Sequence, residues 1–265
     1  MHNWRRKPQS YNKVPLNMIV LITGASAGFG QAIAKTFAQA GHRVIATARR
    51  ADRLHALADE IGERLLPISL DVRDHAAIAA LPGSLPPDFA EVDVLINNAG
   101  LALGVAPAQK AALEDWQTVI DTNINGLVRM THAFLPAMVK RNRGHIVNIS
   151  SIAANYAYPG SNIYGASKAF VKHFSLNLRA DLAGTAVRVT DIQPGLCGGT
   201  EFSNVRFNGD DQKAATLYQN VQALTAEDIA EAIYWITNRP AHVNVNSIEL
   251  MPVAQSFSAL AVHRE

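Results

Sequence analysis

The chain has 265 residues, of which 48% are apolar and 17% are charged. This length fits one large α/β domain, and the composition excludes a disordered protein. The net charge of +2 reflects a basic first segment, because residues 1–17 hold four basic and no acidic side chains and leave 20 basic against 22 acidic residues in 18–265. Because no face or helix of residues 18–265 concentrates a long run of basic side chains, we expect no nucleic-acid partner.

The segment 1–17 lacks apolar periodicity and the hydrophobic stretch of a secretory signal. We expect it to be an extension outside the fold, disordered or left by an expression tag or an upstream start. We expect residues 18–265 to form a single domain.

Other classes are excluded by what the sequence lacks. No apolar run approaches the roughly 20 residues that span a bilayer, so we expect a cytoplasmic protein without membrane contact. Cys197 is the only cysteine, which excludes an intrachain disulfide. The nine histidines show no metal-ligand spacing, and we expect no metal.

From residue 18 onward, short apolar runs alternate with longer stretches of helical spacing. A run that is apolar at every position is typical of a parallel strand buried on both faces. The predicted strands cover 18–23, 44–48, 65–70, 92–97, 145–150, 186–192 and 245–250. The alternation predicts one Rossmann-type, doubly wound parallel sheet of about seven strands with helices on both faces. The Pro- and Gly-rich run 81–87 predicts a surface loop.

A glycine-rich turn at 23–30 joins the first strand to the first helix. Glycines let the backbone approach a pyrophosphate closely, and the helix N-terminus offers free N–H groups. The alternative is a purely structural turn. The residues predicted to contact a cofactor here are Gly24, Ser26, Ala27, Gly28, Phe29 and Gly30.

The second strand is followed by Arg49 and Arg50, where NAD-binding sheets place a carboxylate for the ribose 2′-hydroxyl. Two guanidinium groups suit a 2′-phosphate instead, which favours NADP over NAD. The alternative is a pair of solvated arginines, since Arg53 continues the basic run.

The ends of the third and fourth strands offer further cofactor contacts by their position. Asp71 and Val72 are expected near the adenine ring. Small and amide side chains allow close approach to the cofactor at Asn98, Ala99 and Gly100.

Tyr164 and Lys168 are four residues apart, so on a helix they share one face. A nearby ammonium group favours the phenolate, and we therefore expect Lys168 to lower the pKa of Tyr164 and make it a base. This spacing also occurs by chance on solvated helices.

Together these segments resemble the short-chain dehydrogenase/reductase family over 18–265. The matching features are the turn at 23–30, Asn-Asn-Ala-Gly at 97–100, Asn123, Ser151 with Tyr164 and Lys168, and Pro194-Gly195. The resemblance implies an enzyme that exchanges hydride with NADP, with 18–265 as a single dinucleotide-binding catalytic domain.

The resemblance also implies roles for individual residues. Tyr164 would be the acid/base, and Lys168 would lower its pKa and hold the nicotinamide ribose. Ser151 would bind the reacting oxygen, and Asn123 would support a water-linked proton path. Further cofactor contacts would come from Tyr164, Lys168, Pro194, Gly195 and Thr200, although Thr200 stands one residue later than in the common pattern.

The runs 24–30, 194–207 and 248–253 are similar to bacterial NADP-dependent 3-hydroxy acid dehydrogenases, which act on serine, L-allo-threonine or malonic semialdehyde. A small carboxylate substrate needs a cation, and Arg206 is the candidate, with a surface arginine on a lid as the alternative.

Other readings stay open at this point. One is a carbonyl reductase of the same family acting on a ketone, polyol or sterol, and another is a non-catalytic NADP-binding sensor or scaffold. We also expect a homotetramer, with the apolar segment around 243–260 as a candidate interface.

Overall fold

A computed structural model describes residues 17–207 and 209–257. The expected N-terminal extension therefore lies, except for its last residue, outside the described part of the chain, as does the end of the apolar C-terminal segment.

Within the described residues, seven parallel strands form one sheet in the order β3-β2-β1-β4-β5-β6-β7. The strands are β1 Ile19–Thr23, β2 Arg43–Ala48, β3 Leu65–Ser69, β4 Val94–Asn97, β5 Gly144–Ile149, β6 Val187–Pro194 and β7 Ser247–Leu250. The predicted Rossmann-type doubly wound fold is confirmed, with strand boundaries shifted by at most about two residues.

The helices lie on both faces of this sheet. Their bounds are α1 Gly28–Gln39, α2 Ala51–Ile61, α3 His75–Ser84, α4 Leu113–Ile120, α5 Leu127–Lys140, α6 Asn162–Asp181, α7 Phe202–Arg206, α8 Asp211–Thr216 and α9 Ala226–Thr237. In this part of the chain, no helix is long and apolar enough to cross a membrane.

The first strand explains why two helical layers are needed. All five residues of β1 are buried, and successive side chains of a strand point to opposite faces. Val20 and Ile22 pack in a core that includes Ile33 of α1 and Ile233 of α9. Leu21 packs in a second core on the other face, which α3, α5 and α6 cover.

The order in which strands are added to the sheet reverses at β1, which pairs in parallel with β2 on one side and with β4 on the other. The crossovers on the two sides diverge, so a crevice opens at the carboxyl ends of these strands. This end of the sheet holds the residues predicted to bind a cofactor.

The prediction of a loop at 81–87 is wrong for residues 81–84, which are helical. Helix α3 continues through Pro82 to Ser84, because Ile78, Leu81 and Leu85 keep an apolar row buried against the sheet. This burial outweighs the loss of the hydrogen bond that a proline cannot donate.

A second local departure lies between α4 and α5, where residues Asp121–Gly126 form a π-helical segment. Such segments insert extra backbone into a helix and often occur at functional sites. Here the π-helical segment contains Asn123.

Candidate active site

A cleft of about 640 Å³ opens at the carboxyl ends of the strands. The predicted site residues that line it are Gly24, Ser26, Ala27, Gly28, Phe29, Arg49, Arg50, Asp71, Val72, Asn98, Ala99, Gly100, Ser151, Tyr164, Lys168, Pro194, Gly195, Thr200 and Arg206. Gly30 and Asn123 do not line the cleft. They lie behind it and contact residues that do, Asn98 and Leu101 respectively.

The glycine-rich turn is packed so tightly that two positions admit no side chain. Gly24 has φ +70°, and a Cβ there would lie 3.0 Å from Ala99 Cα. A Cβ on Gly30 would lie 2.7 Å from the amide nitrogen of Asn98, which itself donates to the carbonyl of Thr23 at 2.8 Å. The turn and the end of β4 therefore form one rigid wall.

The start of α1 fits an anionic group. Its N-terminus has no side-chain cap and no acidic residue in the first turn, so its first N–H groups remain available to an anion and its dipole favours one. The residues present therefore fit a dinucleotide pyrophosphate at this point.

Arg49 and Arg50 lie at the end of β2, on the exposed edge of the cleft. Arg50 donates from Nε and Nη2 to the hydroxyl of Ser26 at 3.2 and 3.1 Å. Its Nη1 donates to Glu201 at 2.8 Å, and Arg53 donates to the same carboxylate at 2.6 Å. The guanidinium groups of Arg50 and Arg53 thus form a cluster that binds the carboxylate of Glu201.

Asp71 and Val72 follow β3 and line the same end of the cleft. Asp71 forms an ion pair with Arg73 at 2.6 Å. Hydrogen bonds from Arg73 hold the pKa of Asp71 below its usual range, so this side chain is a carboxylate.

Tyr164 and Lys168 lie on α6 and Ser151 follows β5, and all three are less than one-tenth exposed. The hydroxyl of Ser151 donates to the carbonyl of Pro194 at 3.5 Å and is close enough to Tyr164 to act on its pKa. The ammonium of Lys168 lies 5.8 Å from the centre of the Tyr164 ring and donates to the carbonyl of Ile149 at 2.9 Å. A buried hydroxyl, phenol and ammonium therefore share one corner of the cleft.

The pKa of Tyr164 is not lowered in this structure, contrary to the expectation. Burial raises the pKa of Tyr164 above its usual value, and the opposing influences are the hydrogen bond from Ser151 and the charge of Arg206. Burial lowers the pKa of Lys168 to about 8. The phenol is thus neutral at pH 7, because removal from water outweighs the cations around it.

Asn123 lies behind Lys168 rather than in the cleft. Its side chain accepts a hydrogen bond from Leu101 N and donates to Leu101 O, both at 2.9 Å, and donates to the hydroxyl of Ser167 at 3.0 Å. A Cβ on Gly100 would meet Lys168 Nζ at 3.2 Å and Asn123 Oδ1 at 3.3 Å. Asn123 therefore fixes the backbone wall beside Lys168.

Residues 196–207, which we call the lid, close the cleft opposite the glycine-rich turn. At the base of the lid, Pro194 ends β6 and Gly195 follows it. The backbone N–H of Gly195 donates to the carbonyl of Leu250 at 2.7 Å. A Cβ on Gly28 would lie 3.3 Å from the side chain of Thr200. Thr200 thus faces the turn despite its shifted position in the sequence.

Arg206 ends α7 and points into the cleft instead of into solvent. It is half-buried, and its guanidinium lies 5.3 Å from the ring of Tyr158 and 5.7 Å from the ring of Tyr164. Nη1 donates to the Tyr158 hydroxyl at 3.0 Å, and among the described residues the buried Nε has no hydrogen-bond partner. This cation lies next to the catalytic candidates, and no carboxylate of residues 17–207 and 209–257 is seen to form an ion pair with it.

Among the cleft residues that were not predicted, three contact predicted site residues: Tyr158, Glu201 and Phe202. Phe202 packs its ring 5.6 Å from that of Tyr164. Glu201 and Phe202 follow Thr200 directly, so their position beside a predicted contact was the available signal. Tyr158 had no such signal, because only folding of the segment after Ser151 brings it to Arg206.

The described residues contain no group of three or more His, Cys, Asp or Glu side chains that could hold a metal ion. Burial raises the pKa of the lone Cys197 to about 12, so this thiol is a neutral part of the wall.

Residues 18–210 match the short chain dehydrogenase family. The chain belongs to this family. It is 63% identical over 247 residues to an NADP-dependent 3-hydroxy acid dehydrogenase of Salmonella typhi, covering 93% of this chain and 100% of that protein.

Two further relatives carry related names. A serine 3-dehydrogenase of Agrobacterium fabrum is 52% identical over 246 residues, covering 93% of this chain and 98% of that protein. A solved structure of a serine dehydrogenase in its closed form, complexed with NADP+, superimposes with a TM-score of 0.93 at 61% identity, covering 94% of this chain and all of that chain. Proteins similar to this dehydrogenase are therefore NADP-dependent and act on hydroxyl groups.

Proposed function

We propose that this short-chain dehydrogenase is an NADP-dependent oxidoreductase that acts at C3 of a short 3-hydroxy acid, such as serine, L-allo-threonine or 3-hydroxypropionate. The relatives' names support the class of substrate. Within this chain, the observation that carries the proposal is the position of Arg206 in the cleft beside Tyr164.

A half-buried cation gains from pairing with a carboxylate, because the carboxylate replaces the water that the cation has lost. The open Nε of Arg206 lies in the cleft beside Tyr164. A substrate whose carboxylate pairs with this guanidinium would lie beside Tyr164. The cation thus supports an acid as substrate, and the relatives' names support a hydroxyl at C3.

The chain's own residues then move the proton. In the oxidative direction, Ser151 binds the substrate hydroxyl and Tyr164, as phenolate, takes its proton. In the reductive direction, the neutral phenol returns that proton to the carbonyl oxygen. Bound NADP supplies the hydride acceptor or donor, and the protein supplies orientation and electrostatics.

The cofactor is held by the elements that wall the other end of the cleft. The N-terminus of α1 would bind the pyrophosphate, and Asp71 with Val72 would border the adenine. Arg49 and Arg50 would pair with the 2′-phosphate, with charge-assisted hydrogen bonds worth about 1.5–3 kcal/mol.

Cofactor choice is tested by Arg50→Ala. We expect the Kd for NADP to rise by about 10- to 100-fold while the Kd for NAD changes little, measured by quenching of protein fluorescence. Arg73→Ala, which removes an arginine paired to Asp71 in the same cleft, is the control for general loss of positive charge. Equal weakening of NADP and NAD would remove the 2′-phosphate contact.

Substrate choice is tested with a panel read by NADPH absorbance. We expect activity on serine, L-allo-threonine and 3-hydroxypropionate, and little on the same alcohols lacking the carboxylate. A protein active only on uncharged alcohols would contradict the proposed substrate class.

A hydrophobic ketone is the second candidate substrate. Phe202 and Leu217 line the cleft, and 43% of the surface of Leu217 is exposed. Including a hydrophobic ketone in the panel with NADPH separates the two candidates, because only the hydroxy acid depends on Arg206.

We also propose a cytoplasmic homotetramer, as is common for short-chain dehydrogenases. Apolar side chains that a partner subunit would cover include Trp235 at 49% exposed and Phe257 at 63%, and β7 is an edge strand of the sheet. Sedimentation velocity tests the assembly, and a monomer at micromolar concentration would contradict it.

A further inference from the structure

Beneath the catalytic corner, β6 carries a carboxylate that has no part in binding substrate. Asp191 is fully buried. It follows Val187 and Val189 at two-residue spacing, and those valines belong to the core on the α5 and α6 face of the sheet. Since alternate residues of a strand share a face, Asp191 points toward α6.

The neighbourhood of Asp191 on its own sheet is polar but neutral. The strand register sets it opposite Asn148 of β5 and Ser247 of β7. Gln193 donates to Asp191 Oδ2 at 2.6 Å, and the hydroxyl of Ser247 donates to the same oxygen at 3.5 Å. These contacts satisfy one oxygen without neutralising the charge.

The opposite charges come from α6. Lys168 and Lys172 are four residues apart and share a helix face with Tyr164. Lys172 donates to Asn155 at 2.5 Å, and Asn155 also contacts Gln193 and Glu249. Lys168 donates to the carbonyl of Ile149, which the register sets opposite Ile192, the residue after Asp191.

The remaining charged group on this part of β6 faces away. The guanidinium of Arg188 donates to the carbonyls of Ile236, Thr237 and Arg239 at the end of α9. Glu249 of β7 is exposed and bound to Asn155 and Tyr156. Asp191 is thus the buried carboxylate among the groups that surround Lys168.

We propose that Asp191 is a positioning residue that keeps Lys168 in its ammonium form at the operating pH. Its role rests on the proposed acid/base role of Tyr164, which needs a cation at its side to be stable as phenolate. The fully buried carboxylate acts through Lys168 and contacts no substrate.

The electrostatics of the pair agree with this geometry. Burial lowers the pKa of Lys168 to about 8, and the charge of Asp191 opposes that shift. Burial raises the pKa of Asp191, and hydrogen bonds from Ser150 and Gln193 and the charges of Lys172 and Lys168 oppose it. Removing the anion lowers the pKa of Lys168 further, so the ammonium is lost at a lower pH.

The direct test is nitrogen-15 NMR of the lysine ζ-nitrogens in the full-length protein, with Lys168 assigned by its loss in Lys168→Arg. In Asp191→Asn we expect the pKa of Lys168 to fall by about one unit or more, the size that one close opposite charge produces. Ser247→Ala is the matched control, because it removes a contact to Oδ2 and keeps the charge, and it should leave Lys168 unchanged. An unaltered Lys168 titration in folded Asp191→Asn would overturn the proposal.

A measurement on the unaltered chain covers the case in which Asp191→Asn does not fold. The ζ-nitrogen of Lys168 should show a second, acidic inflection as Asp191 becomes protonated, and absence of that inflection would also overturn the proposal. Neither measurement uses a substrate, so a wrong substrate assignment cannot produce a negative result.

Activity gives the third readout. With NADP+ and an active hydroxy acid, kcat should rise with pH until Lys168 loses its proton, and the pH at which this rise ends should be lower in Asp191→Asn and unchanged in Ser247→Ala. A uniform loss of kcat at every pH, with no displacement of the profile, would indicate a structural role only and would overturn the proposal.

Discussion

The floor of the cleft and its lid are built in different ways. The floor consists of Tyr164, Lys168 and Ser151, which are 9%, 6% and 8% exposed and lie on the 20-residue helix α6 and at the end of β5. The lid is a loop with the five-residue helix α7, and its charged side chains are partly exposed.

The base of the lid is fixed by backbone hydrogen bonds, since Gly198 N donates to Leu224 O at 2.8 Å and Leu196 O accepts from Leu224 N at 3.0 Å. The outer part of the lid, residues 200–207, is held by polar contacts and by packing of Phe202 on Tyr164. Glu201 binds Arg50 and Arg53, Arg206 O accepts a hydrogen bond from Gly104 N at 3.0 Å, and the hydroxyl of Ser203 contacts that of Tyr218 at 2.6 Å. Polar contacts between partly exposed groups break at lower cost than a buried core, so we expect the outer part of the lid to open for substrate entry. The proposed proton transfer thus depends on a buried region, whereas the proposed substrate choice depends on a partly exposed one.

The largest effect is expected on the floor, from Tyr164→Phe. Loss of the hydroxyl removes the acid/base, and we expect kcat to fall by about 10² to 10⁴-fold while the Kd for NADP changes little. Steady-state kinetics and fluorescence titration of NADP measure the two effects. Near-normal turnover in this variant would refute the assigned acid/base.

The pH profile sharpens this prediction. Because burial raises the pKa of Tyr164, the fraction of phenolate grows as the pH rises, and oxidation by the unaltered enzyme should accelerate above neutral pH. Residual oxidation by Tyr164→Phe should lack this acceleration.

The next effect concerns the lid. Arg206→Met keeps much of the apolar stem that packs on the tyrosine rings and removes the charge. We expect kcat/KM for hydroxy acids to fall by about 10- to 100-fold, mainly through KM, as for the loss of a hydrogen bond to a charged group.

Two controls accompany Arg206→Met. Arg206→Lys should lose less kcat/KM than Arg206→Met, because an ammonium keeps the positive charge. It should still be less active than the unaltered enzyme, because an ammonium lacks the planar pair of N–H donors of a guanidinium. Any uncharged alcohol or ketone that the enzyme accepts should be almost unaffected, and an equal loss on such a compound would show that Arg206 only packs the lid.

The wall beside the floor is tested through Gly30→Ala. A Cβ there would collide with the carbonyl of Gly24 and with Asn98, and we expect unfolding to require about 1–3 kcal/mol less free energy. Gly83→Ala is the matched control, because it lies in helix α3 with no atom within 4 Å of the added Cβ. It should be neutral or stabilising, as measured by urea denaturation.

The contrast between the floor of the cleft and its lid also explains what could be predicted from the sequence. Strands such as β1 are apolar at every position, so their burial and parallel pairing follow from composition and alternation. The turn at 23–30 and the pair Tyr164 and Lys168 sit at fixed places relative to those strands. Position in the fold therefore predicted which side chains would meet in the cleft.

What could not be predicted depends on distances across the fold. The raised pKa of Tyr164 reflects burial by side chains such as Phe202, which no local spacing encodes. Arg206 meets Tyr158 across 48 residues of sequence. The continuation of α3 through Pro82 also depended on a tertiary contact, since local propensity favours an earlier end.

The smallest effect is expected where the lid meets the cofactor end of the cleft. Glu201 pairs with Arg50 at 2.8 Å and with Arg53 at 2.6 Å, but its side chain is 44% exposed. Exposed ion pairs contribute about 0.2–1 kcal/mol, so Glu201→Gln should loosen the lid and raise the KM for the hydroxy acid only about two- to fivefold. Because salt screens such pairs, the difference from the unaltered enzyme should shrink between 20 mM and 500 mM NaCl, whereas the effect of Arg206→Met, in a half-buried site, should persist. The double variant Glu201→Gln with Arg53→Gln should lose less than the sum of the single losses, since each removes the same pair. Additive losses, or a salt-independent effect of Glu201→Gln, would mean that these ion pairs do not attach the lid and that the hydrogen bonds of Arg206 and Ser203 hold it instead.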